Sequence, residues 1–305
     1  MPTSTTLNNA VANDHNEQTE RKDCHLDPTA YTCLKVNIYG EHLKALGMAT
    51  FRQPRGDDWT YLDLGCGPAN FLQEILLPRL RPCKYVVAAD SSREMLDYAQ
   101  QHHQEPEIIF ELLDIEHGDP DEIVAKHGQF DRVYAFLIFH FVKDLDKAYR
   151  NLYRLLKQGG ECVSVNFTRT GITDVWHQIY EKDGWNEYIP NPVGVLSKRF
   201  RFNEPLAWEQ LVTEEKNTVA AAGLNVVACH TYSSQWTFPS VNTWLENYVP
   251  FFKLDETVPK EHRGALWEAL TTALLEKSQK TSDGPGLTYH VMVTHMQKPA
   301  GDCNS

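Results

Sequence analysis

Asp63-Leu64-Gly65-Cys66-Gly67-Pro68-Ala69-Asn70 closes the apolar run Trp59-Thr60-Tyr61-Leu62 and opens a helical stretch, Phe71 to Leu80. A strand that stops on glycines and restarts as a helix is the first half of a strand–helix–strand unit. Glycine there lets the backbone turn sharply and approach a ligand that a Cβ would repel. Working outward, Lys84-Tyr85-Val86-Val87-Ala88-Ala89-Asp90 reads as a strand buried on both faces. The stretch 91–103 follows with serine caps and helical spacing. Further strands are expected at 108–115, 130–142 and 161–167, with a helix at 144–157 ended by Gly159-Gly160. Strands alternating with helices predict an α/β fold, a mostly parallel seven-stranded sheet with helices on both faces. A helix is expected at 29–49, and helix 207–222, strand 223–233, a helix near 261–279 and strand 288–297 complete the core.

The ends of these strands carry a ligand-binding pattern. In an open parallel sheet, ligands sit at the carboxyl ends of the strands, at the switch point. Asp90, ending the second strand, can accept both hydroxyls of a ribose, with Ser91 beside it. A dinucleotide site wants a third glycine where this chain has Asn70, and its pyrophosphate seeks bare helix-terminus amides. Asp63 inside the turn suits a positive ligand instead, and the nicotinamide reading loses to an adenosine-bearing sulfonium. Asp114 can accept the adenine amino group, or can simply cap its strand end. Ile115 and Met95 are placed to pack on the ring. Phe136 and Leu137, at the end of the fourth strand, pass the amino-acid portion. Gly65, Cys66 and Gly67 form the turn.

The segments 63–70, 86–99, 112–116, 130–144 and 151–165 together resemble the class I S-adenosylmethionine-dependent methyltransferases, and more narrowly the juvenile hormone acid O-methyltransferases of arthropods. Segments 176–191 and 247–261 are similar to outer parts of the narrower family. The resemblance implies a Rossmann-like class I methyltransferase fold, S-adenosyl-L-methionine as cofactor, and a sesquiterpenoid carboxylic acid as acceptor. Two departures stand out. Phe139-His140-Phe141 replaces the family's Leu-His-Trp, and Gly40 lies where the family brings a glutamine towards the carboxylate.

Methylating a carboxylate needs no strong base, because the group is already ionised at neutral pH. His140 can donate a hydrogen bond to that carboxylate or take a proton from a hydroxyl. Read structurally, it is a histidine satisfied by a neighbouring carbonyl. Tyr39, Phe141, Phe167, Trp176, Trp185 and Tyr188 are candidates for an apolar acceptor wall. Two alternatives remain: methylation of nitrogen or hydroxyl oxygen on another small molecule, and a non-catalytic binder of lipophilic acids. Ala69, where glycine is common, speaks for the last.

Composition bounds the rest. A formal net charge of −12 over 305 residues disfavours nucleic acid and anionic membrane as partners. Seven scattered cysteines, no C-x-x-C pair and no apolar leader give a cytoplasmic expectation, and no metal site is expected. The polar stretch 1–26 is expected to be a disordered tail. One domain is expected at 27–298, with lid insertions near 168–210 and 236–280 and a short tail at 299–305. Oligomeric state is not legible.

Overall fold

The computed structural model describes residues 26–33, 35–182, 184–202 and 207–301. Most of the two expected tails, 1–25 and 302–305, lies outside them.

The strands are β1 (Thr60–Leu64), β2 (Tyr85–Asp90), β3 (Ile108–Leu112), β4 (Phe130–Phe136), β5 (Leu156–Thr170), β6 (Asn225–Thr237), β7 (Gln279–Thr281) and β8 (Gly284–Gln297). They form one sheet in the order β3-β2-β1-β4-β5-β8-β6. The first five run parallel, and β8 inserts antiparallel between β5 and β6. Seven strands were expected and eight are present among the described residues. The extra one, β7, pairs with the start of β8 across a tight turn at Ser282-Asp283.

The order reverses between β1 and β4, which opens a crevice at their carboxyl ends. β1 is buried throughout, and β2 and β4 nearly so, because helices cover both faces. These helices are α1 (Pro28–Cys33), α2 (Lys35–Met48), α3 (Leu77–Leu80), α4 (Arg93–His102), α5 (Pro120–His127), α6 (Leu145–Leu155), α7 (Gly171–Tyr180), α8 (Pro192–Val195), α9 (Trp208–Ala221), α10 (Val241–Phe251), α11 (Leu254–Thr257) and α12 (Arg263–Lys277).

Three differences from expectation have local causes. The helix expected over 71–80 begins as a wide π turn, Leu72–Leu76, in which Leu77 N–H reaches back to Leu72. Pro78 has no N–H to offer Glu74, so the ordinary register cannot continue. α5 was not anticipated, since its apolar periodicity is weak. Its start rests on the Asp119 side chain and Pro120, and its end on Gly128 at φ 74°. β5 extends past both ends of the expected strand, from Leu156 to Thr170: Leu156 pairs with Phe130 of β4 at its start, and Arg169 and Thr170 pair with β8 at its end.

Behind the sheet, the buried Glu215 carboxylate of α9 accepts Tyr149 Oη at 2.6 Å and Thr294 Oγ1 at 3.0 Å, and pairs with Arg199. One acid thereby ties α6, α9, β8 and the loop after α8 together. Removing one partner of a buried pair typically costs about 3–5 kcal/mol. Glu215→Ala should therefore lower unfolding free energy by about 3 kcal/mol or more in urea titrations, and a loss under about 1 kcal/mol would refute this account of the acid.

Candidate active site

Sequence and topology bring the glycine turn, the end of β2 and the end of β4 to one crevice. Gly65 and Gly67 adopt φ 74° and 54°, a left-handed region where glycine is at ease. A Cβ built on Gly65 would lie 1.9 Å from the Ile138 side chain, so the turn fits only without one. Ala69 occupies the same region at φ 59°, and Leu137 does so at φ 58° just past β4. Leu137 is held there by its N–H on Val165 O at 2.7 Å.

Asp90 closes the turn from the other side. Its Oδ2 accepts Gly67 N–H at 2.8 Å and its Oδ1 accepts Ser92 N–H at 2.8 Å. A carboxylate offers about four lone-pair sites, so acceptor capacity remains for hydroxyls. Burial raises the Asp90 carboxyl above its usual range, against those backbone bonds. Burial, with Asp90 second, pushes the Asp63 carboxyl up to about 7. Two acids strained in this way repel a pyrophosphate and favour a cation. The residues present thus fit S-adenosylmethionine, whose ribose and cationic amino-acid part match the two acids.

A cavity of about 1410 Å³ runs from this turn under the helices that follow β5. Of the residues expected around the cofactor, Gly65, Gly67, Asp90, Ser91, Met95, Asp114, Ile115, Phe136 and Leu137 line it. Asp63 and Cys66 lie behind the turn, in a small pocket of about 30 Å³ shared with Tyr39, His42 and Phe71. Asp114 caps its own turn: Oδ1 accepts Glu116 N–H at 2.7 Å and His117 N–H at 3.0 Å, and Oδ2 meets His117 Nδ1 at 3.1 Å. The capping role is visible, with spare lone pairs towards the cavity.

On the acceptor side, His140, Phe141, Phe167 and Trp176 also line the cavity. His140 and Phe141 sit on a tight 3₁₀ turn, Phe139–Phe141, fixed by Phe139 N–H on Asn166 Oδ1 at 2.9 Å. The His140 ring hydrogen-bonds the Asn166 side chain, while its Nδ1 is buried without a partner. Burial drives its pKa down to about 3, so the ring is neutral. The backbone roofs the cavity here: Ser197 N–H meets His140 O at 2.7 Å, and Arg201 N–H meets Thr168 O at 2.8 Å. Lys143 Nζ holds the carbonyls of Val193 and Leu196 at 3.0 and 2.7 Å.

Three expected wall residues are not brought to this cavity. Tyr39 faces the small pocket behind the turn, its ring edge-on to Phe71 at 5.1 Å. Trp185 is buried in the core, and Tyr188 packs between Trp185 and His262. Their turn folds back on α7, and helical spacing alone does not reveal that direction. Gly40 has nothing within 4 Å of where its Cβ would be, so the departure at that position leaves space rather than a contact.

Sequence reading missed Tyr31 and His42. Tyr31 of α1 lines both pockets and passes 4.0 Å from a Cβ built on Gly67. His42 of α2 stacks on Phe136 at 4.9 Å, and neither ring nitrogen has a partner. Both come from segments distant in sequence from the turn, and a histidine two turns into an amphipathic helix carries no motif.

The comparisons agree with this geometry. Residues 62–164 match a family model described as a methyltransferase domain. The chain is 33% identical over 130 residues to a juvenile hormone acid O-methyltransferase of Bombyx mori, covering 42% of this chain and 45% of that protein. It is 32% identical over 145 residues to the Drosophila melanogaster enzyme of the same name, covering 47% and 48%. The matches thus span about half the length of these curated relatives. Among solved structures, a proposed methyltransferase from Bacillus halodurans superposes with TM-score 0.51 at 14% identity, over 86% of this chain and all of that one.

Asp90→Ala removes an acceptor of charge-assisted bonds worth about 1.5–3 kcal/mol each. Calorimetry should find S-adenosylhomocysteine bound at least about 100-fold more weakly; unchanged affinity would refute the assignment. His42 has a folded pKa of about 3 against an ordinary 6.5, so the unfolded chain takes up its proton first as pH falls. Stability is present above about pH 6.5 and is lost on acidification below it. The stability of His42→Phe relative to the parent should rise by roughly 2 kcal/mol between pH 7 and pH 5 in urea titrations; a constant difference would contradict the buried neutral ring.

Residues 62–164 carry a methyltransferase domain, and the sheet and helices around them have the class I methyltransferase fold.

Proposed function

We propose that this chain methylates the carboxylate of a small hydrophobic acid of the sesquiterpenoid class, using S-adenosylmethionine and giving the methyl ester. The observation that carries the reading is His140. It is the imidazole at the acceptor end of the cavity, and its pKa of about 3 makes it a poor base at neutral pH. A general base works best with a pKa near the operating pH. A hydroxyl acceptor would need such a base, whereas a carboxylate arrives ionised. The names of the insect relatives point to the same acceptor class.

Asp90 would hold the ribose, Asp63 would act on the cationic part through its charge from behind the turn, and Met95 and Ile115 would enclose the adenine. When bound, S-adenosylmethionine supplies a methyl carbon activated by the adjoining sulfonium. The chain's own part is positioning and exclusion of water. His140 Nδ1 is buried and unpartnered, and it would donate to a carboxylate oxygen only in the tautomer whose other nitrogen accepts from the Asn166 amide group. Phe141, Phe167 and Trp176 give the carbon chain an apolar wall, and Leu196 and Phe200 cover it. Desolvation there favours a step in which an anion and a cation neutralise one another.

Asp63 titrates near pH 7 without ligand, so cofactor affinity should rise with pH through that range. The decisive measurement is therefore kcat at saturating cofactor, with labelled methyl groups and a panel of terpenoid, fatty and aromatic acids. The expected profile is flat from about pH 6 to 8.5, because neither the acceptor carboxylate nor His140 titrates there. A tenfold rise per pH unit would favour a hydroxyl or amine acceptor, and absence of turnover on every acid would remove the proposal.

A further inference from the structure

Beyond Trp176 lies a second chamber that the acceptor site does not use. It has a volume of about 40 Å³ and is lined by residues from α7, α10, α11 and α12, with Ile189, Pro190 and Phe252 from the connecting segments, every one of them apolar or aromatic. Ile172, Trp176, Ile189, Pro190, Tyr248 and Phe252 line both it and the large cavity, so they form the partition between the two. Trp176 is the pinned element of that partition. Its indole N–H donates to Pro190 O at 2.8 Å, and its ring rests against Phe252 at 5.3 Å. The capping box of α7, Thr170 with Thr173, fixes the helix that presents it.

We propose that the chamber is a latent apolar subsite in line with the acceptor tail, and that Trp176 and Phe252 set the longest carbon chain the enzyme accepts. This rests on the hydrophobic-acid reading above. An apolar tail entering the large cavity from the His140 end meets the two rings. Behind them is space that suits alkyl or isoprenyl carbon and offers water few partners. Replacing the indole by a smaller apolar side chain removes the hydrogen bond to Pro190 and opens one space into the other. Each further methylene buried there should raise affinity about fourfold.

The test is binding rather than turnover. Saturated straight-chain acids of increasing length are titrated calorimetrically into the full chain saturated with S-adenosylhomocysteine. Affinity in the parent should climb with length and then break off. In Trp176→Leu, and independently in Phe252→Leu, the break should move to longer acids by two or more carbons, with about fourfold gained per carbon past the old limit. Adding Leu270→Phe, which fills the chamber from α12, should return the break in Trp176→Leu to its original length; a mere packing defect would not be reversed in this way. S-adenosylhomocysteine affinity reports that each variant is folded. If the parent binds acids and the break stays in place in both folded single variants, the partition idea is overturned. If the parent binds no acid of any length, the acceptor assignment itself fails.

Discussion

The carboxylate of Asp90 is the constraint on which the site depends. From the end of β2 it reaches across to the turn after β1 and takes the Gly67 N–H, while its other oxygen takes Ser92 N–H at the start of α4. One side chain thereby sets the shape of the glycine turn and the entry of the next helix. It does so beside a second buried acid, Asp63; burial lifts both above their ordinary range, and the Asp90 charge adds to the rise at Asp63. Buried like charges without a fixed counter-ion are costly, and a site that keeps them is poised for a cationic ligand. Electrostatics arranged before the ligand arrives needs no rearrangement when it binds.

The acceptor side is organised differently. Its roof is held mainly by polar bonds to backbone: Ser197 to His140, Arg201 to Thr168, and Lys143 to two carbonyls around α8. Glu215 anchors the same loop from behind through Arg199. Polar anchors at the rim leave the interior wall to aromatic side chains, the usual make-up of a small-molecule pocket. The turn Phe139–Phe141 is the hinge between the halves. Asn166 of β5 fixes it on one side, and the strained backbone at Leu137 delivers it to the end of β4.

The class of fold and the glycine-turn end of the cavity were legible in the chain because their signals are local. A glycine turn directly after an apolar run, an acid at the end of the next run, and a serine cap beyond it each occupy a few consecutive residues. Strand ends converge by topology once the sheet is parallel, so local signals sufficed to place Gly65, Gly67, Asp90 and Met95 together. Even the overlooked α5 had its markers in Asp119, Pro120 and Gly128. They were outweighed by a weak apolar period.

What the chain determined by itself is therefore the order of the seven main strands and the helices between most of them, the glycine turn and the two acids beside it. Tertiary structure alone decided which aromatic rings line the large cavity: Trp176 turns to it, while Trp185 and Tyr188, within the same aromatic stretch, turn away. It also decided that Tyr31 and His42 reach the turn, and that Glu41 is bound by Tyr289, 248 residues distant, through a 2.6 Å hydrogen bond. The reason is physical. Backbone conformation follows from neighbours along the chain, but the direction in which a large side chain is buried depends on what packs against it from remote segments.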